Sequence, residues 1–298
     1  MKFAGRWTPY LYVLPAAAMF GLFTLYPIAR TIHMSVTDLE FIQPEKAEFV
    51  GLDNYREALS IHRDPSYNDS KARLAFGNTL RFTAMFLPLY IILPMPVAFL
   101  IDRLRRQVVM RVASFLPVVV SGAVVAVLWT TLYHATYGPL TAIAKTMGFK
   151  DINFLANKAT AMPSLVAMGV WHGMGFNVLL YLVRLAAIPN ELYEAASVDG
   201  ANRWQVFWGV TLPLLRPAVY LVTVLGLIGS LKVFGPMFIM TDGGPANSTL
   251  SLVMYIYQTA FRFGNLRFGY AAAMAVILAI VIMTFAIASS RLNRPVDR

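Results

Sequence analysis

Six stretches of this chain, near 10–33, 77–101, 109–133, 163–183, 214–240 and 270–290, are long apolar runs with few charges. A helix needs about 20 apolar residues to cross the hydrocarbon of a bilayer, so each run is long enough for one span. Composition decides between a membrane and a large soluble core. Hydrophobic residues make up 58% and charged residues 13%, where soluble chains carry roughly a quarter charged. A soluble core of this size cannot bury that much apolar surface, whereas lipid can. The pattern predicts an all-α integral membrane protein of about six transmembrane helices. No serine-rich linker or low-complexity tract divides it, so residues 1–298 are expected to form a single transmembrane domain. The absence of an obvious internal repeat counts against an inverted-repeat secondary transporter.

The N-terminal run follows Lys2 and Arg6, as a signal peptide's would, but it is too long and lacks a small-residue cleavage site. It reads as a retained first span. Most spans contain proline: Pro15 and Pro27 in the first, Pro88, Pro94 and Pro96 in the second, Pro117 in the third and Pro236 in the fifth. Orientation comes from the short loops. Arg103, Arg105, Arg106 and Arg111 face a single Asp102 between spans two and three, and Arg291, Arg294 and Arg298 follow span six. Cytoplasmic loops carry such excesses, so both termini and the 102–108 loop are expected inside, and the acid-rich segment Asp38–Asp69 outside. The outer loop between spans three and four, with Lys145, Lys150 and Lys158 against Asp151, fits less well. The net charge of +10 belongs with an anionic membrane face rather than with nucleic acid. Cysteine is absent, which removes disulfides and thiolate metal sites.

One cytoplasmic stretch reads as more than a connection. From Ile188 to Pro213 the sequence describes a helix, a break and a second helix. Pro189 suits a first turn and Glu191 the positive end of a helix dipole. Asp199-Gly200 is a break at which glycine can take a positive φ. Trp204, Phe207 and Trp208 then recur at helical spacing. Glu194-Ala195-Ala196, three residues, Gly200, nine residues and Val210-Thr211-Leu212-Pro213 resemble the EAA loop of binding-protein-dependent ABC importers. The one departure is Val210 in place of isoleucine. Phe49-Val50-Gly51-Leu52-Asp53-Asn54-Tyr55, Thr241-Asp242-Gly243-Gly244-Pro245 and Gly269-Tyr270-Ala271-Ala272-Ala273 resemble the carbohydrate branch of that family, in particular the larger maltose-permease and glycerol-3-phosphate permease types.

The resemblance implies a type I ABC importer permease fold, with residues 188–213 forming a coupling loop that docks on a cytoplasmic ATPase. Glu194, Ala195, Ala196, Asp199, Gly200, Leu212 and Pro213 are then the coupling residues. It also implies a homologous second permease subunit, two ATPase subunits and an extracytoplasmic solute-binding protein, in a bacterial or archaeal cytoplasmic membrane. ATP and Mg would be bound by the ATPase subunits, since this chain has no G-x-x-x-x-G-K-[ST] loop. Zinc-protease and nucleophile-elbow motifs are absent too, and His33, His62, His134 and His172 lack ligand spacing. No enzymatic activity and no metal site are expected.

Polar residues at membrane depth are the candidates for solute contact. Trp171, Gly175 and Asn177 in span four combine an aromatic face with an amide. Gly226 and Ser230 share a stripe in span five, with Lys232 beside it. The expected solute is a sugar or oligosaccharide. Glycerol 3-phosphate or a glycerophosphodiester is the alternative, for which Lys232 could attract the phosphate. A secondary transporter would also need six spans, but it leaves the EAA-like loop without a role.

Overall fold

The computed structural model describes residues 8–40, 42, 45, 47–61, 68–104, 107–149, 152–262 and 266–292. Lys2, Arg6, Arg105, Arg106, Lys150, Asp151, Arg294 and Arg298, used above for orientation, lie outside the described residues. In chain order the helices are α1 (Thr8–Phe20), α2 (Tyr26–Met34), α3 (Asp53–Ala58), α4 (Ser70–Ile92), α5 (Pro94–Asp102), α6 (Gln107–Val119), α7 (Gly122–Leu132), α8 (Pro139–Thr146), α9 (Ala161–Ala186), α10 (Asn190–Val198), α11 (Arg203–Val206), α12 (Leu212–Leu231), α13 (Gly235–Met240), α14 (Leu252–Phe261) and α15 (Phe268–Leu292). Among the described residues, extended pairing is limited to two isolated antiparallel bridges, Thr37 with Phe49 and Glu40 with Arg267.

Proline decides where the long helices bend and where they continue. A proline has no N–H to donate, and its ring crowds the carbonyl four residues back. Two π turns, Gly21–Leu25 and Phe207–Thr211, lie immediately ahead of Tyr26-Pro27 and Leu212-Pro213. Each widens the helix by one residue: Tyr26 N–H bonds Gly21 O, and Leu212 N–H bonds Phe207 O. Tyr10–Met34 and Arg203–Leu231 therefore run on as single apolar helices. The sequence put the end of the loop's second helix at Pro213 and a separate span over 214–240. The helix instead starts at Arg203 and ends at Leu231, and α13 follows after a short gap.

Among the described residues, five helices are long and apolar enough to cross a membrane: Tyr10–Met34, Ser70–Asp102, Ala161–Ala186, Arg203–Leu231 and Phe268–Ser289. The stretch expected as the third span is a pair, Val108–Val119 and Gly122–Leu132, bent by 96°. Ser121 between them has extended backbone (φ −53°, ψ 135°), which ends the helical ladder there. Counting that pair as one crossing gives six.

The chain divides into two compact units, residues 1–73 with 255–279, and 74–254 with 280–298. In the first unit no residue from Tyr10 to Met34 is buried, so Leu11, Val13, Leu14 and Phe23 lie bare along the helix. So long an apolar face is a liability in water and the expected surface in lipid. The connecting segment of this unit is knit by polar side chains. Buried Asn54 donates to Ser35 O (3.1 Å) and Thr37 O (2.8 Å). Asp69 caps α4 by accepting from Lys71 and Ala72 N–H, and accepts the hydroxyls of Tyr255 (2.5 Å) and Tyr270 (2.8 Å). Burial and the nearby Asp69 carboxylate raise the Tyr255 pKa, so its hydroxyl stays a donor. Arg267 grips Glu57 with two bonds of 2.8 and 2.7 Å, and its guanidinium lies 4.4 Å from the Tyr270 ring centroid. The Glu57 bond raises the Arg267 pKa further.

The second unit is built around α9. Val178, Tyr181, Leu182 and Leu185 pack with Ala98 and Ile101 of α5 and with Leu215, Ala218 and Val222 of α12. α9 also meets α6, so closely that a Cβ at Gly175 would overlap the Ser114 carbonyl oxygen. Phe82, Phe86 and Tyr90 form a stacked column along α4, with centroids 5.3 and 4.7 Å apart. A Cβ at Gly169 would lie 3.2 Å from the Phe86 ring, and one at Gly226 would lie 2.7 Å from the Tyr90 ring. Small residues let these helices approach.

Candidate functional site

The 188–213 loop takes the shape its residues require. Pro189 sits at the N-cap with extended backbone (φ −60°, ψ 135°), and Glu191 lies in the first turn of α10. Gly200 adopts φ +73° and closes the helix. Ala201 N–H reaches back to Ala196 O (2.9 Å) and Gly200 N–H to Ser197 O (3.1 Å), a pairing that satisfies the last carbonyls of α10. Asn202 then starts the next helix with a capping box. Its side chain accepts from Trp204 and Gln205 N–H at 3.0 Å, and Gln205 Oε1 accepts Asn202 N–H at 2.7 Å. The loop is therefore a short helix fixed at both ends.

None of the α10 residues is buried. Glu194, Ala195, Asp199 and Gly200 are exposed and Ala196 is half-buried. Val198 is 88% and Leu192 41% exposed, apolar surface left uncovered among the described residues. Leu212 and Pro213 lie apart from that surface, half-buried at the start of α12. Thr211 Oγ1 to Tyr193 Oη (3.4 Å) links the two parts. Between the end of α5 and this loop is a cavity of about 840 Å³ whose lining includes Phe99, Arg103, Tyr193, Arg203 and Phe207.

The structure places the residues singled out for solute contact in different settings. Trp171 is 39% exposed, its ring 5.6 Å from Trp129, and Lys232 is exposed at the C-cap of α12. Gly175 and Gly226 lie at the close helix approaches described above. Ser230 is buried and bonds Leu227 O within its own helix (3.0 Å). Asn177 is fully buried and donates to Tyr90 O (2.9 Å), while its Oδ1 has no hydrogen-bond partner. His172 bonds Val120 O at 3.2 Å. Among the described residues no group of three or more His, Cys, Asp or Glu side chains could hold a metal ion.

Tyr90, Tyr181 and Arg184 were not singled out from the sequence. Tyr181 donates to Ile91 O (3.0 Å), beside the Asn177 bond, and Arg184 Nε donates to Leu214 O (2.9 Å). A signal for the first pair was present: Pro94 has no N–H, so the carbonyl of Tyr90, four residues back, needs a donor from elsewhere.

A family model described as binding-protein-dependent transport system inner membrane component matches residues 75–298. The chain is 32% identical to the arabinooligosaccharides transport system permease protein AraP of Bacillus subtilis (strain 168), over 96% of this chain and 88% of that protein. It is also 32% identical to the trehalose/maltose transport system permease protein MalF of Thermococcus litoralis, over 96% and 93%. Among solved structures, a chain of the bacterial alginate ABC transporter in complex with alginate pentasaccharide-bound periplasmic protein superposes with a TM-score of 0.81. That match has 22% identity and covers 98% of this chain and 96% of that one.

Proposed function

This chain belongs to the family of binding-protein-dependent transport system inner membrane components, and on that premise we propose that its solute is a sugar or oligosaccharide. It is the non-catalytic, membrane-spanning permease subunit of an ABC importer. In the proposed assembly it pairs with a homologous second permease and two ATPase subunits that bind ATP and Mg. A solute-binding protein delivers to the side bearing Asp38–Asp69. Both termini and the 188–213 loop face the cytoplasm, and residues 1–298 act as one transmembrane domain. The related sugar permeases named above support the solute class.

The observation that carries the mechanism is α10 itself, a helix capped at both ends with small and apolar residues turned outward. Glu194, Ala195, Ala196, Asp199 and Gly200 form its docking face, and Leu212 and Pro213 carry its movement into α12. ATP-driven closure of the ATPase pair and the loaded binding protein each favour the outward-open state. Only such differential binding can shift a two-state equilibrium. Trp171 and Lys232 are the accessible members of the proposed solute path. Asn177, Gly175, Gly226 and Ser230 shape that path from behind. The exposed Lys232 also favours a second reading, import of glycerol 3-phosphate or a glycerophosphodiester, by pairing with the phosphate.

The test is uptake into proteoliposomes holding the complete complex, with trehalose, maltose, an arabinooligosaccharide and glycerol 3-phosphate as labelled solutes. ATP-dependent accumulation of a saccharide is expected, and only when the binding protein is present. Accumulation by this chain alone, without ATP or partners, would refute the proposal.

A further inference from the structure

We infer that Asn177, Tyr181 and Arg184 are positioning residues that carry movement of the 188–213 loop to the proline-broken span Ser70–Asp102 and to α12. The inference rests on the reading of α10 as the ATPase docking helix. It adds how that movement leaves the loop.

The break in Ser70–Asp102 lies at Leu93, between α4 and α5, with Pro94 and Pro96 just beyond. Pro94 has no proton for Tyr90 O, and in a membrane no water replaces it. Two side chains of α9 close the gap from outside. Asn177 Nδ2 takes Tyr90 O at 2.9 Å and Tyr181 Oη takes Ile91 O at 3.0 Å. Residues four apart share a helix face, so one face of α9 meets two successive carbonyls at the break. Arg184 follows two turns after Asn177 and reaches Leu214 O at 2.9 Å, one residue past Pro213. The next turn of chain is Ile188 and then α10.

This arrangement makes α9 a strut with the loop at its end. A proline break held within its own helix would be indifferent to α9, but this one keeps its hydrogen bonds only while α9 is in register. Asn177 and Tyr181 have no exposed surface, so water does not substitute for them. The Asn177 Oδ1, buried and unpartnered, leaves that side chain half satisfied in the present arrangement. A group in that state is a natural point for a second arrangement in which α9 and the break have shifted. The hydrophobic packing of α9 on α5 and α12 supplies adhesion, while the three polar bonds supply register.

The experiment measures solute accumulated per ATP hydrolysed in proteoliposomes holding the full complex, for wild type and for Tyr181→Phe, Arg184→Gln and Thr223→Ala. Tyr181→Phe removes a single hydroxyl. Thr223→Ala removes a comparable hydroxyl whose bond stays inside α12, to Val219 O at 2.7 Å. Tyr181→Phe and Arg184→Gln are expected to assemble with the ATPase and keep binding-protein-stimulated hydrolysis. Their solute-to-ATP ratio should fall about five- to tenfold, the shift that loss of one buried hydrogen bond allows. Thr223→Ala is expected to keep the wild-type ratio. An unchanged ratio in Tyr181→Phe and Arg184→Gln would overturn the inference, as would uptake and hydrolysis falling in step. Co-purification of the ATPase with wild type and with Glu194→Ala is read first. Its failure in wild type would remove the docking reading, whereas failure confined to the ratio measurement removes only the strut.

Discussion

Gly175→Ala adds one methyl group at the close crossing of α6 and α9 in the second unit. The added Cβ would overlap the Ser114 carbonyl oxygen and sit 2.7 Å from its carbon and 2.9 Å from Phe115 Cα. All three are backbone atoms, so no rotamer change relieves the contact. Carbon atoms rest about 3.5–4.0 Å apart, so α6 must withdraw from α9 by about 1 Å. A gap of that size forfeits about a quarter to a half of the attraction across the contact. Overpacking of this kind costs about 1–3 kcal/mol, against a helix-propensity gain of about 0.5–1 kcal/mol for replacing glycine. The net loss of up to about 2.5 kcal/mol corresponds to an apparent Tm lowered by up to about 4 °C in a chain of this size. The chain has no cysteine, so thiol-reactive dyes are blind to its unfolding, and tryptophan fluorescence in detergent is the assay. Gly229→Ala is the control, because nothing lies within 4 Å of its added Cβ and the propensity gain stands alone. Gly175→Ala melting at or above Gly229→Ala would refute the close-approach account of the α6–α9 crossing.

Three further outcomes are expected. Gly200→Ala forces a Cβ into φ +73°, at a cost of about 1–2 kcal/mol. Because no α10 residue is buried, the strain is released by local unwinding of that helix end, so ATPase co-purification should weaken while the melting temperature stays within error. Arg267→Gln removes a two-bond ion pair and leaves Glu57 facing a neutral amide, so thermal stability should fall. The double variant Glu57→Gln/Arg267→Gln should regain part of that loss, and equal losses in both would argue against pairing. Lys232→Gln should abolish glycerol 3-phosphate uptake if that is the solute and leave saccharide uptake within about twofold, since an exposed charge contributes little to a neutral ligand. Unchanged uptake of every solute tested removes Lys232 from the path.

The loop was the most legible part of this molecule because its geometry is local. A proline, an acidic first turn and a glycine at its close are enough to specify α10. Even the capping box was readable, since Asn202 and Gln205 stand at the required spacing, although the sequence reading passed over it. The long spans were legible for the same reason, as uninterrupted apolar length. What the sequence did not show depends on register between distant helices. Asn177 in an apolar stretch suggested a ligand contact, yet its partner is a carbonyl 87 positions away, exposed by a proline in another span. Gly175 and Gly226 were likewise candidates for the solute path, and the structure puts a backbone and a tyrosine ring against them. The bend at Ser121 came from local backbone that a hydropathy pattern does not register.

The three proline sites where a long helix is interrupted are resolved in two physically different ways. Ahead of Pro27 and Pro213 a π turn, closed by a bond within the same helix, lets the chain continue past the proline. Such a helix stays continuous through its proline, so in the proposed cycle Arg203–Leu231 carries displacement at its loop end along its length, with Arg184 tying Leu214 O to α9. At Pro94 the repair is made by Asn177 and Tyr181 of a different helix. A break repaired in that way is coupled to its neighbour, because sliding α9 along its axis by a fraction of a turn strips two carbonyls of their donors. Each carbonyl left bare in a buried apolar setting costs about 1–3 kcal/mol. That energy is comparable to the coupling between sites that an alternating-access cycle requires. The two repairs thus divide the work: rigid transmission through α12, and a registered, state-dependent joint between α9 and the second span.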